Sequence, residues 1–132
     1  LEEFIISRKN NWKKIDNLIR NYSDYLIPHE PSKNSDPSWF GYAISVKENN
    51  KFSRNELVMF LNENRIATRL MFGGNLIRQP AYAGKKYEVY KDLVNADYVM
   101  NNTFWIGVYP GLDDAMIQYI DEKFKQFFSS FI

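Results

Sequence analysis

The chain has 132 residues, enough for one ordinary domain, with 17 Lys and Arg against 16 Asp and Glu and a net charge of +1. That balance gives no strong field and argues against a dedicated nucleic-acid binder. The absence of cysteine excludes disulfides, Cys-ligated zinc, iron–sulfur ligation and a thiol nucleophile within these residues. No run approaches the ~18 apolar residues of a membrane span and no signal peptide is visible, so the cytoplasm is the expected compartment.

Leu1 to Tyr22 repeats at helical spacing, with Leu1, Phe4, Ile5, Trp12, Ile15, Leu18, Ile19 and Tyr22 on one stripe. The pattern is already under way at Leu1, which is not a Met, and reads as a cut inside or beside a helix of a longer chain. Pro28 and Pro31 then break regular structure, and 27–38 is expected to be a loop. Residues 39–46 alternate as a strand, Phe40, Tyr42, Ile44 and Val46 facing one way and Trp39, Gly41, Ala43 and Ser45 the other. Small residues on the second face permit a close approach to the backbone.

Ser53 and Glu56 form a capping box for a helix to about Asn64, with Leu57, Phe60 and Leu61 toward the core. Residues 65–72 read as a second strand ended by Gly73-Gly74, and 75–86 as a long irregular segment of the kind compact domains keep for function. A short helix is expected over 89–100, with Leu93, Ala96, Val99 and Met100 inward, and a third strand over 103–109. Asp113 is placed to cap a final helix to about Phe128, whose buried stripe is Met116, Ile117, Ile120, Phe124 and Phe127. Few strands with covering helices give an α+β fold: a small antiparallel or mixed sheet covered by helices, as one domain over 1–132.

Chemistry-bearing residues are sparse. The carboxylate pairs Asp113/Asp114 and Asp121/Glu122 sit where capping and solvated helix faces explain them. His29 is the lone histidine, in a loop with no partner pattern, and no lysine occupies an apolar strand-end setting. Gly73-Gly74 lacks the phosphate-loop ending. Arg69 lies among apolar residues within a strand, followed by Asn75, Arg78 and Gln79. An arginine fork suits a diphosphate or carboxylate, while the plainer reading puts Arg69 on the solvent face of a half-buried strand. Trp39-Phe40-Gly41-Tyr42 suits either core packing or stacking on a ring.

Three segments, 34–41 (NSDPSWFG), 68–80 (TRLMFGGNLIRQP) and 104–112 (FWIGVYPGL), together resemble the C-terminal part of the CDP-4-dehydro-6-deoxyglucose 3-dehydrases, or RfbH-type lipopolysaccharide biosynthesis proteins, within the DegT/DnrJ sugar aminotransferase group. The resemblance implies the C-terminal small domain of the aspartate-aminotransferase-like fold. It implies a parent enzyme that removes the C3 hydroxyl of a CDP-linked 4-keto-6-deoxyhexose, using pyridoxamine or pyridoxal phosphate and a 2Fe–2S cluster, with a reductase partner and a homodimeric state. The cofactor pocket, the histidine that replaces the aminotransferase lysine, and the cluster cysteines would belong to the chain's own N-terminal large domain. No catalytic or metal-binding residue is expected in this fragment, and the isolated domain should be inactive. Phe40, Arg69, Asn75, Arg78 and Gln79 match positions expected near substrate. The alternatives are the small domain of a lysine-based sugar aminotransferase and a stand-alone nucleotide-binding module.

Overall fold

The structure, a computed structural model, describes residues 1–131. In chain order it contains α1 (Glu2–Arg20), β1 (Leu26–Pro28), β2 (Gly41–Val46), α2 (Arg54–Glu63), β3 (Thr68–Leu70), two short 3-10 turns, α3 (Val94–Asn102), β4 (Thr103–Gly107) and α4 (Asp114–Ser129). The strands form one sheet in the order β1-β2-β4-β3, with every neighbouring pair antiparallel. The α+β expectation is met, and the sheet is antiparallel rather than mixed.

Alternation along the strands decides the layers. Tyr42, Ile44 and Val46 of β2 and Phe104 and Ile106 of β4 face inward and are buried. They meet Ile15, Leu18 and Ile19 of α1, Leu57 and Leu61 of α2, and Ile120, Phe124, Phe127 and Phe128 of α4 in one core. Burial of this apolar surface is the main stabilising term, about 1.5–3 kcal/mol for each large side chain. An aromatic cluster of Tyr22, Tyr25, Phe52, Phe127 and Phe128 extends it, with Tyr22 stacked on Phe128 at 4.5 Å between centroids.

Caps fix where the helices start. Ser53 and Glu56 form the reciprocal capping box of α2, and the Asp113 carboxylate accepts from the Met116 amide at 2.8 Å. The Asn11 amide is buried and donates to the carbonyls of Tyr109 and Leu112, each at 3.0 Å, tying α1 to the turn before α4.

Several expectations shift. β1 falls inside the stretch read as a loop. Pro28 cannot donate to a ladder, but β1 is an edge strand, where proline is tolerated. β3 is shorter than read because Arg65 and Phe72 take left-handed backbone conformations at φ 60° and 47°. α3 begins at Val94 rather than 89 because Lys91 and Leu93 are also left-handed. Val99 and Met116, read as inward, are exposed, and so are Leu1 and Phe4 at the start of α1. α3 adds no buried residue to the core.

Candidate functional site: the open face of the sheet

Strand alternation that sends Tyr42 and Ile106 inward sends Gly41, Ala43 and Trp105 to the other face, which the core helices leave open. Cross-strand register aligns Ala43, Trp105 and Arg69 in one row from β2 through β4 to β3. The indole of Trp105 lies against Gly41: a Cβ there would fall 2.5 Å from Trp105 Cε3. Small residues on this face were expected to admit a close neighbour, and that neighbour is the indole. Phe40 meets Trp105 edge-to-face at 5.3 Å, a favoured aromatic geometry.

The backbone bends at Phe40, just before β2 begins at Gly41. The Phe40 carbonyl accepts from the Val108 amide at 2.8 Å, extending the β2–β4 ladder by one bond, while its side chain is 62% exposed. Phe40 therefore does not share the buried fate of Tyr42, Ile44 and Val46, with which simple alternation grouped it. With Met71, Phe72, Trp39, His29 and Trp105 it lines an apolar pocket of about 130 Å³. His29 packs edge-on to Trp39 at 4.7 Å.

Arg69 stands beside this pocket, directly across from Trp105. It is exposed, and among the described residues its guanidinium has no ion-pair partner. A planar fork without an internal partner is available for an anionic ligand.

Asn75, Arg78 and Gln79 are differently placed. Arg78 grips Asp97 of α3 with two parallel bonds, Nε to Oδ1 at 3.1 Å and an Nη to Oδ2 at 2.9 Å. The Asn75 amide, 3% exposed, donates to the same carboxylate at 2.8 Å, and its carbonyl oxygen accepts from the Ile77 amide. The Arg78 and Asn75 bonds hold the Asp97 carboxyl below the usual carboxylate range, and the carboxylate raises Arg78 in turn. Gln79 donates to the Gly73 carbonyl at 2.6 Å. These three side chains tie the segment after β3 to itself and to α3. Of the five residues singled out from sequence, the structure brings Phe40 and Arg69 to the open face with functional groups free, and uses the other three as fasteners.

Trp105, Met71 and Phe72 were not singled out. The alternation of Phe104, Trp105 and Ile106 was a usable signal for the indole. Phe72 had none, since a left-handed backbone at a non-glycine residue leaves no mark in sequence.

The pocket's chemistry fits a wall better than a cofactor seat. Its lining contains no lysine to form a Schiff base with a pyridoxal cofactor and no carboxylate to pair with a pyridinium nitrogen. With no cysteine in the chain, a 2Fe–2S cluster has no ligands here. A larger groove of about 650 Å³ lies between β4 and α4; of its polar groups, Asp113 caps α4 and the Tyr119 hydroxyl donates to the Asn64 carbonyl, while Arg65 also lines it. Among the described residues no helix is long and apolar enough to cross a membrane.

A small antiparallel sheet covered by helices is the α+β arrangement that this chain shares with pyridoxal-phosphate enzymes of the aminotransferase fold. Residues 1–125 match the DegT/DnrJ/EryC1/StrS aminotransferase family, and the chain belongs to that family. It is 47% identical over 128 residues to the lipopolysaccharide biosynthesis protein RfbH of Salmonella typhimurium, an alignment covering 97% of this chain and 29% of that protein. It is 40% identical to dTDP-4-dehydro-2,6-dideoxy-D-glucose 3-dehydratase of Saccharopolyspora spinosa, covering 96% of this chain and 27% of that one. Among solved structures, GDP-4-keto-6-deoxymannose-3-dehydratase with a trapped PLP–glutamate geminal diamine superposes with a TM-score of 0.80 at 25% identity, over 93% of this chain and 31% of that one. An aminotransferase from Psychrobacter cryohalolentis has a TM-score of 0.82 at 13% identity, which speaks for the fold alone. The chain thus spans under a third of the length of the curated relatives it matches.

Proposed function

We propose that this chain is the C-terminal small domain of a pyridoxamine-phosphate-dependent sugar-nucleotide 3-dehydrase, acting on a CDP-linked 4-keto-6-deoxyhexose in dideoxysugar synthesis for lipopolysaccharide. The single observation that carries the reading is the 47% identity to RfbH across nearly the whole chain. In this reading an N-terminal large domain holds the cofactor, the proton-abstracting histidine and a 2Fe–2S cluster, a reductase supplies electrons, and the parent is a cytoplasmic homodimer. The cofactor, when bound, supplies the electron sink for loss of the C3 hydroxyl.

This domain's own residues bind and position. Arg69 offers its free fork to the diphosphate or sugar hydroxyls, worth roughly 1.5–3 kcal/mol for a charge-assisted pair. Phe40 and Trp105 present an apolar wall that excludes water from one side of the sugar. Asn75, Arg78 and Gln79 act from behind, holding the segment after β3 at the edge of the site.

The test is product analysis with the full-length chain, pyridoxamine phosphate, a reductase and CDP-4-keto-6-deoxyglucose. The expected product lacks the C3 hydroxyl. A 4-amino sugar formed from an amino donor instead would make the parent an aminotransferase of the same family.

A further inference from the structure

Phe72 carries a cost that the fold does not explain. Its φ is 47°, a left-handed conformation that bulky residues avoid. The conformation is held by hydrogen bonds on either side, from the Phe72 amide to the Leu70 carbonyl and from the Gly74 amide to the Met71 carbonyl, both 2.9 Å. Yet the ring is 87% exposed and absent from the core, so burial within this domain does not offset the strain. Strained residues of this kind concentrate at binding sites.

The side chain lines the open-face pocket together with Phe40, Met71 and Trp105. At about 130 Å³ the pocket is far below the roughly 300–1,000 Å³ that encloses a whole drug-sized ligand, so it takes one edge of a larger molecule. The polar side-chain atoms of the lining are confined to the His29 imidazole and the indole N–H groups of Trp39 and Trp105. Against the apolar remainder of the lining, a nucleobase edge or a sugar hydroxyl would lose hydrogen bonds to water that few groups there can replace. A methyl group would lose nothing.

We propose that the pocket formed by Phe40, Met71, Phe72 and Trp105 seats the C6 methyl and adjoining C5 edge of a 6-deoxysugar, and that Phe72 is its specificity-determining wall. The inference rests on the sugar-nucleotide reading above, and the relatives named for 6-deoxy and 2,6-dideoxy sugars have such a methyl in their substrates. Arg69, one strand from Trp105, would then engage the polar side of the same ligand.

The experiment compares kcat/KM of the full-length chain for the nucleotide-linked 4-keto-6-deoxyhexose and for its 6-hydroxyl congener. An apolar pocket discriminates at this level by roughly 10–100-fold, and wild type is expected to prefer the 6-deoxy sugar by that factor. Phe72→Gly, which relieves the backbone strain, should collapse the preference toward unity without lowering the melting temperature, and Phe72→Leu should retain most of it. An unchanged preference in Phe72→Gly, with the 6-deoxy sugar still turned over, overturns the pocket assignment alone. A lowered melting temperature with the preference intact would make Phe72 a packing residue and overturn it equally. Failure of wild type to turn over either sugar overturns the function reading and the assignment resting on it.

Discussion

The Trp105 indole, whose backbone pairs with Ala43, reaches diagonally over Gly41 so closely that it occupies the space of the missing side chain, with Cε3 2.5 Å from where a Cβ would stand. The clash is with a ring packed by Phe40 rather than with the end of a flexible chain. Gly41→Ala is expected to cost about 1–3 kcal/mol of stability by overpacking and to displace Trp105. Urea unfolding of the 132-residue chain, followed by tryptophan fluorescence, reads both effects. A variant of unchanged midpoint and spectrum would contradict the packing described.

Gly74 is a second position where only glycine fits. Its φ is +58°, and a Cβ would run into Met100 of α3. Gly74→Ala combines left-handed strain, about 1–2 kcal/mol, with a collision that pushes α3 from the segment after β3. A melting temperature lower than that of Gly41→Ala, or comparable with it, is expected from thermal unfolding.

The Asp97 fastener gives a pH dependence of known sign. Its carboxyl is depressed in the folded state, first by the Arg78 hydrogen bond and then by that of Asn75. A depressed carboxylate contributes stability that is fully present above the unfolded value of roughly 3.9 and is lost as pH falls through the folded value. The 75–79 segment should therefore stay ordered down to about pH 4 and loosen below it. Asp97→Asn should loosen it at neutral pH and remove most of that acid dependence. Amide resonances of 75–79, followed by NMR through an acid titration, are the direct readout.

At the alkaline end the tyrosines act in the opposite sense. Burial, with the nearby Asp121 charge, pushes Tyr22 up to about 12, and burial with the hydrogen bond to Asp16 raises Tyr42 further. A phenol whose folded value is raised gives stability that is complete below the unfolded value of about 10 and drains away as pH rises through the folded one. Ultraviolet titration should find these two phenols ionising only as the chain unfolds. Tyr42 donates to Asp16 Oδ1 at 2.6 Å, so Tyr42→Phe should cost about 1–2 kcal/mol, with Arg20 still paired to Asp16.

The helices were legible because their signals are local. Ser53 with Glu56, and Asp113 before an apolar stripe, specify starts that the structure reproduces. The inward faces of β2 and β4 followed from period-two alternation. What escaped were features set by long-range contact or unusual backbone. β1 has three residues, one of them proline, and exists only because β2 supplies partners. Phe40 broke the alternation because the strand proper starts at Gly41. Of the candidate site residues, the structure leaves Arg69 and Phe40 free at the open face, whereas Asn75 and Arg78 meet Asp97, 22 and 19 residues away in sequence, and Gln79 meets the Gly73 carbonyl, partners that no local pattern announces.

The most direct test of the open face as the substrate side is the kinetics of Arg69→Ala in the full-length chain. Arg69 is exposed and unpaired, so its removal should leave thermal stability within about 0.5 kcal/mol of wild type. Loss of a charge-assisted contact should lower kcat/KM for the sugar nucleotide by roughly 10–100-fold, mainly through KM, with Arg69→Lys recovering part of it. Unchanged kinetics at unchanged stability would mean that substrate approaches from elsewhere and that the row from Ala43 through Trp105 to Arg69 does not border the active site.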